Sequence, residues 1–240
     1  MKHLVAFVLI VCSTVLCIGC GIVSRIVNDA KNPRIEDEKS IQQWLNKNDL
    51  KVDYVATVKP ESFFSYYRFL AISKGTGYIF KADGSFTSLG HPNGKYCYKT
   101  FPELMQSLNP LDSSSFSGDN FIIAQYKIPV VIKEANTRNT PKTVDSIFRD
   151  TTYYHLDTIY HELRDLKGNM LYDLMPSGTD YLVVIPFAKY LGSTIQTKDI
   201  LNTIKGIKAN KQARIRVVLL NMDKQKWWGT EWNNRIQLSA

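Results

Sequence analysis

Two apolar runs, Tyr181-Leu182-Val183-Val184-Ile185 and Ile215-Arg216-Val217-Val218-Leu219-Leu220, constrain this chain more than any other feature. Neither alternates apolar with polar residues, so neither suits a strand with one wet face. Runs of this kind belong to strands covered on both faces. Between them, Ile200, Leu201, Ile204 and Ile207 fall on one side of a helix spanning Ile195–Ala209. A strand, a helix long enough for a crossover and a second strand form a βαβ unit. The strands are therefore expected to be adjacent and parallel, at the centre of the main sheet, with residues 197–208 packed across them.

The rest of the chain supplies further elements. Ile35–Asn46 carries Ile35, Ile41, Trp44 and Leu45 among charges, which predicts an amphipathic helix. Val52, Tyr54 and Ala56 alternate with polar neighbours, a strand pattern that stops before Pro60. Ser62–Ile72 is rich in aromatics and reads equally as helix or strand. Tyr78–Phe80 and Phe86–Leu89 flank Asp83-Gly84, a pair that tolerates positive φ, and so predict a hairpin. Phe101–Leu108 opens with Pro102 near the first helical turn, where a missing N–H is harmless. Phe121–Ile132 is apolar but contains Pro129, which restricts it to an edge or broken strand. Residues 109–142 contain two polar connectors and offer a place for a subdomain break. Leu156, Ile159, Tyr160 and Leu163 fit helical spacing, and Leu166-Lys167-Gly168-Asn169 then marks a turn.

Residues 163–223 resemble the core of thioredoxin-like proteins of the thiol-disulfide and peroxiredoxin type. The likeness rests on Leu163-Arg164-Asp165-Leu166-Lys167-Gly168-Asn169, on YLVVIPFAKYLG, on the helix that follows, and on RIRVVLLNMD. In that family a D-x-x-G turn precedes a buried strand, which ends in an aromatic and leads to a CxxC loop and a long helix. A second strand then ends near an Asp. The resemblance implies a mixed α/β sheet with flanking helices. It places the active-site loop at Phe187–Ser193, where there is no cysteine. A thiolate is the nucleophile of that chemistry, and neither Lys189 nor Ser193 can replace it. Substitution of Lys189 or Ser193 is accordingly expected to be silent for fold and function. Too few residues follow Asp223 for the family's closing hairpin and helix. The hairpin and helix within residues 77–108 could supply them from upstream, which would make the fold a permuted or rearranged thioredoxin.

The N-terminus sets location. Lys2 precedes an almost wholly apolar stretch from Leu4 to Ile18, followed by Gly19 and Cys20. This resembles the lipobox of bacterial lipoproteins, with Cys17 where that pattern prefers Leu. The resemblance implies a signal peptide over 1–19, lipid (palmitate among its acyl groups) on Cys20, a tether over 20–34 and a domain over 35–240. The competing reading is an uncleaved helix from Leu4 to Val23, close to the roughly 20 residues a span requires. Both readings put residues 25–240 outside the cytoplasm, in the cell envelope, held to the inner or outer membrane and facing periplasm or cell surface.

In the lipoprotein reading Cys12 and Cys17 leave with the signal and Cys20 is acylated, so Cys97 is the lone thiol of the domain. A two-cysteine redox centre is then excluded. Cys97 reads as a small buried hydrophobe, or alternatively as a reactive thiol; His91 six residues before it lacks an orienting third group. His155 and His161 are not at metal-ligand spacing, and no phosphate loop, dinucleotide fingerprint or nucleophile elbow is present, so no cofactor and no metal are expected. Glu36, Asp37 and Glu38 read as charges favouring a helix start. Trp227, Trp228 and Trp232 read as core at the end of the sheet or as an aromatic binding surface. The net charge of +8 is spread out, its densest stretch being five basic residues from Lys205 to Arg216, which does not suggest nucleic acid.

The expected function is a binding or structural role for a membrane-tethered domain, with an envelope protein as the partner class. The alternative is a thiol-dependent redox accessory or enzyme acting through Cys97. The anchor has a direct test. Cys20→Ser should abolish acylation, seen by intact mass, and detergent partitioning of the processed chain. Unchanged mass and membrane retention would favour the uncleaved helix.

Overall fold

The computed structural model describes residues 29–63, 66, 77–81, 86–87, 101–109, 131–132 and 160–238. Cys20, His91, Cys97 and His155, the Asp83-Gly84 turn and most of 109–142 lie outside the described residues. In chain order the elements are β1 (Ile35–Glu36), α1 (Glu38–Lys47), β2 (Tyr54–Val58), β3 (Tyr78–Lys81), β4 (Phe86–Thr87), α2 (Phe101–Ser107) and β5 (Val131–Ile132). They continue with β6 (Leu163–Arg164), β7 (Tyr181–Phe187), α3 (Thr194–Ala209), β8 (Ile215–Asn221), β9 (Lys224–Gln225), α4 (Gly229–Arg235) and β10 (Ile236–Gln237).

The architecture is mixed α/β. Strands β7 and β8 are adjacent and parallel, in register from Tyr181 opposite Ile215 to Phe187 opposite Asn221, with α3 as the crossover. They sit at the centre of a six-stranded sheet of order β4-β3-β7-β8-β2-β6. Strand β2 lies parallel to β8, β6 runs antiparallel to β2, and β3 and β4 form an antiparallel pair whose first strand runs antiparallel to β7. Two short pairings lie apart from this sheet, β1 parallel with β9 and β10 antiparallel with β5.

The absence of alternation in the two central runs has its physical counterpart in two cores. Val183, Ile185 and Phe187 of β7, with Val217 and Leu219 of β8, pack against Ile41 and Leu45 of α1, Phe101 and Met105 of α2, and Ile200 and Ile204 of α3. Leu182 and Val184, with Val218 and Leu220, join a second cluster containing Phe63, Tyr66, Trp228 and Ile236. Both faces of the pleat are dry along Tyr181–Phe187 and along Val217–Leu220, so successive residues there are apolar.

Helix α2 lies directly on α3, and Gly206 permits the approach, because a Cβ there would meet the Pro102 carbonyl oxygen at 2.2 Å. Asn210, just past α3, donates its side-chain amide to the carbonyls of Met105 and Leu108 at 2.8 and 2.9 Å, satisfying the free end of α2.

Two expectations are corrected. The first helix begins at Glu38 rather than Ile35. Asp37 accepts the Ser40 amide at 2.9 Å while Ser40 Oγ accepts the Asp37 amide at 3.1 Å, a reciprocal cap that ends the extended segment. Leu163 does not belong to the helix that its spacing with Tyr160 suggests. Residues 160–162 are helical, but Leu163 pairs with Val58 because β2 has an open edge, and that pairing outweighs a local period. The turn after β6 forms as expected: Asp165 Oδ1 accepts the amides of Lys167 and Asn169 at 2.8 Å, and Gly168 sits at φ +95. Among the described residues, no helix is long and apolar enough to cross a membrane.

Gly206 decides between two opposed effects. Ala is favoured over Gly in a helix by about 1 kcal/mol, whereas overpacking against a backbone carbonyl costs about 1–3 kcal/mol. The Pro102 oxygen cannot swing aside as a side chain would. Gly206→Ala should therefore lower stability, by about 1–2 kcal/mol in urea unfolding. A variant at least as stable as the parent would be incompatible with this close packing.

Candidate functional site

At the carboxyl end of β7 the chain turns through residues 188–193 into α3. In open α/β sheets this edge is where ligands bind, because loops there are positioned by strands yet free of the ladder. Lys189–Leu191 form a 3-10 turn, and Gly192 at φ +88 turns the chain into the helix, a backbone conformation that favours glycine.

This loop is fastened from two sides. From α3, Gln196 Oε1 accepts the Ala188 amide at 2.9 Å, while its Nε2 donates to the carbonyls of Ala188 and Gly192 at 3.0 and 2.8 Å. From the end of β8, Asp223 accepts the Lys189 amide at 2.8 Å and the Tyr190 amide at 3.3 Å. Asp223 is 1% exposed. Its carboxyl is pushed up to about 6, chiefly by burial, with the nearby Glu36 charge adding to the rise and the amides of Lys189, Tyr190 and Asn221 opposing it.

Behind Asp223 lies a buried polar chain. Asn221 donates to Asp223 at 2.7 Å and accepts from Gln225 Nε2 at 2.6 Å. Asn233 of α4 donates to the Gln225 carbonyl at 2.8 Å and to the Gly229 carbonyl at 2.9 Å. The Gln225 Oε1 and Asn233 Oδ1 atoms are buried with no hydrogen-bond partner. Such networks specify one arrangement, because each mispaired member is costly at low dielectric.

In front of the loop the chain runs as a strap over residues 29–36. The Lys31 amide donates to the Tyr190 carbonyl at 2.8 Å, and β1 pairs with β9, so the strap lies across both Asp223 flanks. Glu36 accepts from Lys189 Nζ and, at 2.6 Å, from Ser40 Oγ. Lys189 also donates to the Ser40 carbonyl at 3.2 Å. Trp44 of α1 stacks on Phe187 with centroids 5.3 Å apart. Strap, α1 and loop enclose a cleft of about 220 Å³, edged by Lys31, Arg34, Trp44, Lys47, Lys189 and Ser193.

No protein-family model matches the chain. No curated protein and no solved structure is significantly similar to it either.

The loop carries no thiol, and the amine of Lys189 is held by Glu36. Among the described residues no group of three His, Cys, Asp or Glu side chains is arranged to hold a metal ion. What the cleft offers is cationic and amide donors beside an aromatic ring.

Several expectations change here. The segment 20–34 was expected to be a tether; of its described part, Asp29, Lys31, Asn32 and Arg34 line the cleft. Glu36, Asp37 and Glu38 were expected to act together at a helix start; Glu38 alone occupies the first turn, Asp37 is the cap, and Glu36 turns inward to Lys189. Lys189 is not idle, since its removal would leave Glu36 shielded from water without its cation. The Trp cluster divides. Trp228 is core and donates to the Val58 carbonyl at 3.0 Å, Trp227 packs beside Gly168 and meets Trp228 edge to face, and Trp232 is half-buried beneath the Arg235 guanidinium at 4.5 Å. Gln196, Asn221, Gln225 and Asn233 carry no sequence signal, because isolated amides announce nothing until the fold brings them to one strand end.

Asp223 makes stability depend on pH with a defined sign. Its carboxyl titrates near 6 in the folded chain and near 3.8 when free. The folded state therefore binds the proton more tightly, and this contribution is fully favourable below about pH 4 and lost as pH rises through about 6. Relative to Asp223→Asn, the parent should lose about 2–3 kcal/mol of unfolding free energy over that interval, measured by urea titration. Parallel profiles for the two proteins would show that Asp223 does not titrate there.

Proposed function

We propose that this protein is a membrane-tethered extracytoplasmic module, lipidated at Cys20, whose soluble part is a rearranged thioredoxin-like domain that binds rather than catalyses. The observation that carries the reading is the loop at residues 188–193. It occupies the junction of buried strand and long helix where redox members of that family keep their cysteines. It is held shut by Asp223 and Gln196, with no nucleophile in it.

The surrounding topology supports the family assignment. The β7–α3–β8 unit provides the strand, helix and strand that the resemblance requires. The β3–β4 pair lies beside β7, and α2 packs on α3, as the family's closing hairpin and helix would. These parts come earlier in this chain, between β2 and β7, so the same neighbours are reached in a different order. The membrane tether is supported by the apolar leader ending in Gly19-Cys20. An envelope protein or the membrane itself is the natural partner for a domain held there.

Thiol chemistry discriminates this reading from an enzyme acting through Cys97. The folded chain should react slowly with a soluble thiol reagent at Cys97 and give no turnover of a protein disulfide with dithiothreitol. Rapid labelling of Cys97 together with turnover that disappears in Cys97→Ala would replace the binding role with a thiol-dependent one.

A further inference from the structure

Part of the positive charge that looks dispersed along the chain is brought to neighbouring depressions by the fold. Arg34 of the strap and Lys47 of α1 edge the cleft described above. A second depression shares Asn48 and Ser193 with it and continues along α3 past Lys198 and Lys205. Together they make one groove between α1 and α3. Its two acidic residues are already matched, Asp29 with Lys31 at 3.5 Å and Glu36 with Lys189. Among the described residues, Arg34, Lys47, Lys198 and Lys205 have no carboxylate partner. Ile195, 47% exposed, stands in the same helical turn as Thr194 and Lys198 and adds an apolar side chain beside them.

The chain that leads to the anchor ends at this groove. Asp29 and Lys31 are on its rim, and Asp29 is nine residues on from Cys20. A segment of that length spans at most about 30 Å when fully extended. The domain is therefore held close to the bilayer by the same side that carries the unmatched cations. An anionic leaflet attracts Lys and Arg only within about a Debye length, roughly 8–10 Å, so the short reach matters.

We infer that the groove between α1 and α3 is a docking face for an anionic bilayer surface. Arg34, Lys47, Lys198 and Lys205 face lipid phosphates, and Ile195 enters the headgroup layer. This deepens the membrane-anchor reading above and rests on it. A processed lipoprotein and a chain kept by its uncleaved leader are tethered through the same segment, so the docking face is the same for both.

The test uses the full-length chain reconstituted in vesicles of phosphatidylcholine alone, or with about a third phosphatidylglycerol. Amine-reactive labelling is read peptide by peptide by mass spectrometry. Labelling at Lys47 and Lys198 should be several-fold slower on the anionic vesicles, while Lys211, in the turn beyond the far end of α3, labels equally on both. High salt, or the exposed substitutions Arg34→Glu and Lys198→Glu, should remove the contrast at Lys47. Equal rates at Lys47 and Lys198 on the two vesicle types would overturn the docking face. Equivalent protection on neutral vesicles after adding inorganic phosphate would also overturn it, in favour of a soluble anion. Intact mass reports acylation separately, so a lipidated chain without the contrast removes the docking face and leaves the anchor standing.

Discussion

The arrangement of the strand ends depends on a carboxylate placed where water does not reach. Asp223 lies two residues past the end of a central strand and accepts two backbone amides from the neighbouring strand's exit loop. Each of those amides would otherwise be a donor without a partner at the edge of the core, at a cost of about 1–3 kcal/mol apiece. The carboxylate meets that need but brings its own desolvation penalty, which appears as a raised pKa. The donors from Lys189, Tyr190 and Asn221 offset part of it. The chain thus fixes its loop with a group that is itself under electrostatic strain. Replacing it with a neutral amide whose oxygen takes the Oδ2 place would keep the Lys189 and Asn221 donors paired and set N–H against N–H at Tyr190.

That tension is tolerable because the scaffold beneath is stiff. The parallel pair β7–β8 is covered on one side by α1, α2 and α3 and on the other by the Phe63, Tyr66 and Trp228 cluster. Close packing leaves little room for the strand ends to splay. Gly206 extends the same logic outward, since it lets α2 seat on α3, and Asn210 then closes the α2 terminus. The loop inherits its position from elements that are themselves over-determined, as sites built on rigid elements do.

What the sequence made legible follows from which interactions are local. The β7–α3–β8 unit could be read because double burial leaves a continuous apolar run and a helix leaves a stripe. The β3–β4 hairpin was legible through Asp83-Gly84, and its adjacency to β7 was not, because no pattern in Tyr78–Lys81 names a partner strand. Leu163 was misread since i, i+3 spacing is common to a helix and to chance, and only the open edge of β2 decides. The site was legible only as a place, the loop after a buried strand. Its working parts come from Glu36, Gln196, Asn221 and Asp223, far apart in the chain, and amide side chains have no periodicity to betray them. Charge behaved likewise: Arg34 and Lys47, unremarkable in sequence, line one cleft, and Lys198 lines the depression beside it.

The strap joins these threads. Residues 29–36 bury little apolar surface, and Ile35 is 53% exposed. They are held instead by one amide bond to Tyr190, a two-residue pairing with β9 and the Glu36–Lys189 contact. Segments held mainly by polar contacts open locally at far lower cost than the core unfolds, because little hydrophobic burial is lost. These three end on the loop or just after Asp223, and a fourth runs from the Ser40 hydroxyl of α1 to Glu36. The strap is therefore held mainly by polar contacts and is in direct contact with the site. Releasing it would remove one of the two acceptors of Lys189 and hydrate Glu36, and so weaken the charge effect that helps raise the Asp223 carboxyl. Strap, loop and buried carboxylate are coupled through those shared groups.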